Sequence, residues 1–525
     1  MAKTTEQIYD ELISIPDYGK LFPDEAIDAL GLLIDYSGDL SKAEGLHHAI
    51  RQAQLLLSKN LSKLHKTKIY YFLGNAWTNL RTLKHRKDKL AWEWEQPEVE
   101  NEILYFRLFN KFVNEKSEIE KPYFWQANTN LGNSLNHVGR FVEAIEYWDK
   151  VLQGNPMFRM ALANKGYGIK FYAESLYDEG HIGVFLQFVY KLLKNGLQTK
   201  EIHLSARKQF EQTCIDLEKR VGKKFLEEPF DMDNFSLGKT KGEKYYRKWC
   251  LNNRLFINPL NDLGSYNIAA QDVFTCPSIH TSKEETFSYY PPSYFGFFNQ
   301  LKQEYVSARY LFYESTQNEK AHYSDRNVLI YNMLNYSCYS LNTEKLKIAF
   351  RMLYSLFDKI AYFINEYLKL NIPETKVTIR TLWYKNQRKT DGLREEFVSF
   401  KNWPLRGLFW LTKDLLGNGS DFYEVIEPDA KDLVKIRNYL EHKYITITLY
   451  PITTEDEAEN KSNDKTYTVW REDFVLKTFR LMKLVRAAMI YLSLGIHIEE
   501  RIKSSIQKGI VGTMVLDTWE DDWKF

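Results

Sequence analysis

Residues 125–156 read WQANTNLGNSLNHVGRFVEAIEYWDKVLQGNP, and this stretch decides the fold class. Trp125 and Leu131-Gly132 lie on a first helical run, and Ala144 and Trp148 on a second. Pro156 closes the unit, and Gly166 follows Gly132 by 34 residues. Gly and Ala let two helices touch, and the large aromatic fills the gap against the next pair. The motif echoes at Leu73-Gly74-Asn75, which repeats Leu131-Gly132-Asn133 and is followed by a polar, Trp-bearing insertion over 91–99. Gly38-Asp39 and the amphipathic run 42–57 form a more degenerate unit. A fixed period of this length marks stacked helix pairs.

The pattern resembles the tetratricopeptide repeat (TPR) over roughly residues 25–215. That resemblance implies a helical solenoid with a concave surface for a protein or peptide partner. A purely structural solenoid is the alternative.

Composition frames the rest. A chain of 525 residues exceeds what one hydrophobic core usually organises, so two or three domains are expected. Aromatic residues reach 15%, with 35 Tyr and 32 Phe, which suits the large gaps between repeat helices. Cys214, Cys250, Cys276 and Cys338 form no CxxC pair, which argues against a zinc site or a disulfide framework. The first ten residues lack an apolar core, so no signal peptide is expected. The apolar run 487–496 is about half of the ~20 residues a spanning helix needs. These features predict a soluble, cytoplasmic protein with no membrane contact. His47-His48 is expected to pack rather than ligate. The net charge of +2 lacks the basic excess of a protein that coats nucleic acid, but an enzyme that cuts RNA at one point needs only a local basic patch, so composition leaves that question open.

Residues 216–320 read as a helical, turn-rich connector. Asn252-Asn253, Asn258-Pro259, Asn261-Asp262 and Gly264 are turn signals, and no catalytic pattern falls among them.

The chemistry concentrates in residues 429–444, DAKDLVKIRNYLEHKY. Leu433, Ile436 and Leu440 recur at helical spacing. His442 follows Arg437 by five positions, and it alone of the eleven histidines has an Arg at five to seven residues before it. Asn438 and His442 share a helix face, with Arg437 at its edge. A permanent cation, an amide and a titratable imidazole suit cleavage of RNA by its own 2′-OH, which needs no metal or cofactor. His442 would move a proton, Arg437 would neutralise charge on phosphate, and Asn438 would orient the imidazole or the phosphate. The expected ends are a 2′,3′-cyclic phosphate and a 5′-hydroxyl. A surface helix with a chance Arg and His is the alternative.

The motif RNYLEH, together with FDKIAYF and NWPLRGLFWLTKDL upstream, resembles the HEPN family (higher eukaryotes and prokaryotes nucleotide-binding), in the branch with N-terminal TPR repeats. The resemblance implies an all-helical domain over 321–525, after a repeat domain (1–215) and a connector (216–320). Its helices are expected at 343–370, 402–416, the motif, and 471–504. It implies endoribonuclease activity regulated by the repeats, in a toxin or antiviral-defence setting. Asp358 is the candidate for the acidic residue the family often carries, a buried Asp that pairs helices being the alternative. One motif per chain is a thin catalytic set, and motif helices in this family commonly pair, so a homodimer is expected. A non-catalytic adaptor for RNA or protein is the competing reading. Two further expectations concern surfaces. YITITLY and TYTVW, separated by a polar loop, predict a β-hairpin over 444–470. Arg380, Lys385, Arg388, Lys389 and Arg394, with Trp383 and Tyr384 between them, suit a surface that stacks unpaired bases, a solvated charged face being the alternative; Lys431, Lys435 and Lys443 flank the motif.

Overall fold

The computed structural model describes residues 3–85, 91–199, 202, 204–280, 293–317, 320–332, 334–399, 401–415, 430–453, 465–506 and 515–524. Among them the chain is mainly α-helical, with nineteen α-helices and one two-stranded sheet.

The first half is a succession of helix pairs: α2 (Pro23–Asp39) with α3 (Ala43–Leu57), α4 (Lys63–Lys84) with α5 (Pro97–Phe112), α6 (Lys121–His137) with α7 (Phe141–Gly154), and α8 (Arg159–Ser175) with α9 (Glu179–Gly196). A short α1 (Thr5–Ser14) precedes them, held by a capping box at Thr4. Glycines sit where the pattern needs bare backbone. A Cβ on Gly132 would lie 2.6 Å from Trp148 Nε1, and one on Gly74 would lie 2.5 Å from Phe106. Trp148 is buried and donates to Asn133 Oδ1 at 3.1 Å, so its one polar atom is satisfied.

α10 (Leu204–Val221), α11 (Lys223–Glu227), α12 (Lys241–Asn252) and α13 (Leu260–Leu263) follow. The turn signals there mark a buried polar clasp. Asn261 accepts from the Phe256 N–H and donates to the Leu251 carbonyl. Asp262 receives the Tyr172 hydroxyl at 3.0 Å from α8 and pairs with Arg486 at 2.7 Å. The segment thereby ties the repeats to the last long helix.

The C-terminal part packs α14 (Ser293–Gln317), α15 (Leu341–Tyr367), the one-turn α16 (Glu395–Val398), α17 (Trp403–Thr412), α18 (Ala430–His442) and α19 (Arg471–Ile506). Ser340 and Asn402 cap α15 and α17 through side-chain oxygens. α14 packs chiefly on α15, so it belongs to this bundle and not to the connector. α19 is the axis of the bundle. Among the described residues it alone is long and apolar enough to cross a membrane, and the protein itself buries its apolar stretch against α14, α15 and α17.

One core runs without a break from Tyr71 to Ile496, while a second cluster is confined to residues 9–80. The two parts meet at a seam where Gly139 and Gly407 bring backbones into contact; Gly139 also needs its left-handed φ of +92°. Trp94, from the insertion between α4 and α5, is buried among Trp383, Phe397 and Phe409. Asp414 lies wholly buried there between Arg107 (2.7 Å) and Arg140 (2.6 Å).

The expected hairpin is corrected. β1 (Tyr444–Thr448) and β2 (Thr466–Trp470) pair in parallel, Tyr444 opposite Thr466 and Thr448 opposite Trp470. A two-residue turn joins only antiparallel neighbours, but the connection here spans residues 449–465, long enough to carry the chain back to the start of β1. The other edge of β1 pairs antiparallel at Thr448 with Ser337.

Candidate active site

The motif helix α18 is anchored by one face. Leu433, Ile436, Tyr439 and Leu440 are buried, at the spacing of a core stripe. That leaves Asn438 and His442 exposed and Arg437 half-exposed. Arg437 Nη1 donates to Asn438 Oδ1 at 3.1 Å. His442 ends the helix, one turn beyond Asn438, and bonds to no other described residue. Five residues of α-helix rotate roughly 140° beyond a full turn. Arg437 therefore points towards α15, with its guanidinium 5.9 Å from the centre of the Tyr354 ring, while His442 faces outwards. The structure brings Arg437 and Asn438 together and leaves His442 beside Asn438.

Arg437 opens into a groove of about 450 Å³ between α14, α15, α18 and the segment before Val377. Arg351, Tyr354, Asp358, Lys359 and Glu441 line it with Arg437; Asn438 and His442 lie outside this lining. Arg351 reaches across to α18, donating to the Leu440 carbonyl and lying 3.8 Å from Glu441. Arg380 donates to the Tyr354 hydroxyl. Asp358 accepts the Ile379 N–H at 3.3 Å. Burial pushes its carboxyl above the usual range, against the opposing pull of that N–H, Arg380 and Arg437. A larger hollow, about 790 Å³, lies between α9, α11 and residues 229–233, but no motif residue reaches it.

Asp358, inferred from sequence, thus shares the groove with Arg437. Arg351, Tyr354 and Lys359 were missed, though a signal existed. Arg351, Tyr354 and Asp358 follow one another at i, i+3 and i+7, a polar line along one side of an amphipathic helix.

The stacking surface suggested around Trp383 and Tyr384 is corrected. Both rings are buried, Trp383 against Trp94, Phe397 and Phe409, and Tyr384 beside Phe409. Alternating aromatic and basic residues here reflect a loop that plugs the seam with its rings while Lys385 pairs at the surface with Glu395. Lys435 and Lys443 lie over Tyr467 and Tyr439; the side chain of Lys431 is outside the described residues. The four cysteines are free thiols. His48 contacts the Ile15 carbonyl at 3.1 Å and the edge of Tyr18, as a packing residue does.

Comparison with known proteins adds one finding. Residues 286–499 match the family described as LA2681-like HEPN, a span that takes in α14, the groove, the motif helix and nearly all of α19. No curated protein and no solved structure matches the chain. Residues 216–320, read from sequence as a connector, therefore contribute their last helix to the matched domain. HEPN domains are generally ribonucleases, and over residues 286–499 this chain belongs to the LA2681-like HEPN family.

Proposed function

We propose that the protein is a metal-independent endoribonuclease with Arg437, Asn438 and His442 at its centre. The observation that carries this reading is the unspent polarity of α18: its apolar stripe is fully buried, yet its Arg, Asn and His are all held at the surface. The substrate 2′-oxygen attacks the adjacent phosphorus, the P–O5′ bond breaks, and the 2′ proton leaves to His442. Arg437, fixed over Tyr354 and against Asn438, neutralises the charge that builds on the phosphoryl oxygens. A second proton must reach the departing 5′-oxygen, and the His442 of a second copy supplies it across a two-fold pairing of motif helices. The repeats sense a protein or peptide partner and set when cleavage occurs. By the HEPN resemblance the setting is toxin action or antiviral defence.

The products test the chemistry. Cleaved RNA should carry 2′,3′-cyclic phosphate and 5′-hydroxyl ends, and an oligonucleotide with a single 2′-deoxy sugar should resist cleavage at that position only. Cleavage of the deoxy position, or 5′-phosphate ends, would rule out attack by the 2′-oxygen.

A further inference from the structure

Four exposed tyrosines begin two residues after His442. Tyr444, Tyr339, Tyr336 and Tyr450 are 45%, 42%, 68% and 60% exposed. They form two pairs on adjoining backbone segments. The Tyr339 and Tyr444 hydroxyls lie 3.0 Å apart, and the Tyr336 and Tyr450 rings meet edge-to-face at 5.1 Å. The backbone beneath them is built. Cys338 N–H donates to the Ile447 carbonyl at 2.7 Å, and Leu449 N–H to the Tyr336 carbonyl at 3.2 Å. Lys443 is exposed between His442 and Tyr444. Lys347 lies near enough to help hydrogen bonds from Thr446 and Tyr339 hold the Tyr444 hydroxyl below the ordinary tyrosine value.

A folded protein has little reason to fix four large rings half in water for packing alone. Tyr offers a flat π-face to any base at low entropic cost, and its hydroxyl tolerates solvent. β1 carries the surface roughly 15 Å from the motif at ~3.3 Å per residue, room for about four stacked nucleotides. The geometry points to a subsite for unpaired RNA, in which nucleotides flanking the scissile phosphate stack along Tyr444, Tyr339, Tyr336 and Tyr450. This rests on the ribonuclease reading and adds its substrate class: single strands, because paired bases cannot offer their faces. A protein surface is the competing occupant, since Leu329 and Leu334 nearby in sequence are 87% and 84% exposed. The exposed Lys443, between His442 and Tyr444, and the closeness of Tyr444 to the motif in the chain favour RNA.

The test is binding, not cleavage. Full-length protein carrying His442→Ala is titrated against a fluorescent unstructured 12-mer RNA and the matching duplex in EDTA, read by anisotropy. The single strand should bind at least tenfold tighter than the duplex. Tyr336→Ala and Tyr339→Ala should each weaken it roughly five- to tenfold, while Tyr336→Phe and Tyr339→Phe should retain binding within twofold. Circular dichroism checks that each variant is folded. Equal binding by folded Ala variants would overturn the subsite while leaving cleavage by the parent protein intact. Alanine variants that instead change the mass seen by light scattering would assign the array to a protein interface. If the parent binds no RNA at all, both this subsite and the ribonuclease reading fail.

Discussion

Asp414 and Asp358 lie in the same domain, and each faces two arginines, but they have opposite fates. At the seam, Arg107 and Arg140 both bond directly to Asp414, which is fully buried. Their charges hold its carboxyl well below the usual range in spite of burial. In the groove, among the described residues, Asp358 is bonded only by a backbone N–H, and Arg380 and Arg437 donate elsewhere, to Tyr354 and Asn438. Burial then dominates and raises its carboxyl. Cations spent on a carboxylate build a joint between domains. Cations held near a carboxyl but not consumed by it remain available to a phosphate.

The largest effects should separate the two regions by kind. Arg437→Ala and His442→Ala should each lower RNA cleavage by roughly 10²- to 10⁴-fold with little change in melting temperature, since neither side chain is buried. A variant that melts substantially lower would make the motif a packing element. Asp414→Ala should do the reverse and cost about 3–5 kcal/mol of stability in denaturant titration, because two buried guanidiniums lose their partner. Trp94→Ala, which empties the seam's aromatic cluster, should cost a similar ~3–5 kcal/mol.

Acid should sharpen the contrast. Asp414, depressed in the folded state, contributes stability that is present above its unfolded value near ~3.9 and is lost as pH falls towards its folded one. The stability gap between wild type and Asp414→Asn should therefore narrow below about pH 4. Asp358 is raised, so its protonated form suits the fold, and the benefit is lost as pH rises through its folded value. Asp358→Asn mimics that form and should melt slightly higher than wild type at pH 7, with the difference vanishing below about pH 4. Urea titrations at pH 3, 5 and 7 read both.

The helices of the bundle were legible because their signals are local. The expected 343–370 and 471–504 are found at Leu341–Tyr367 and Arg471–Ile506, and the motif helix at Ala430–His442. Gly132 and Trp148 announced a helix crossing for the same reason. What escaped depends on partners far away in sequence. Nothing near Trp383 says that Trp94 covers it, so an aromatic plug resembled a stacking surface. The strands 444–448 and 466–470 were visible by alternation, but their direction depends on the path of the chain between them. Asp414 stood unmarked in NWPLRGLFWLTKDL because its partners are Arg107 and Arg140.

The smallest effect expected concerns assembly. Titrating inactive His442→Ala subunits into wild type should lower activity faster than the wild-type fraction falls, if two copies share one cleft. Strict proportionality, with monomers by light scattering, would remove the second copy from the mechanism.

The most direct measurement is incubation of purified full-length protein with labelled single-stranded RNA in excess EDTA, beside the His442→Ala variant and a DNA of the same sequence. The account predicts that the wild-type protein cuts the RNA at undiminished rate in EDTA, leaves the DNA intact, and that the variant cuts neither. Cleavage that disappears in EDTA, or that survives in the His442→Ala protein, would contradict it.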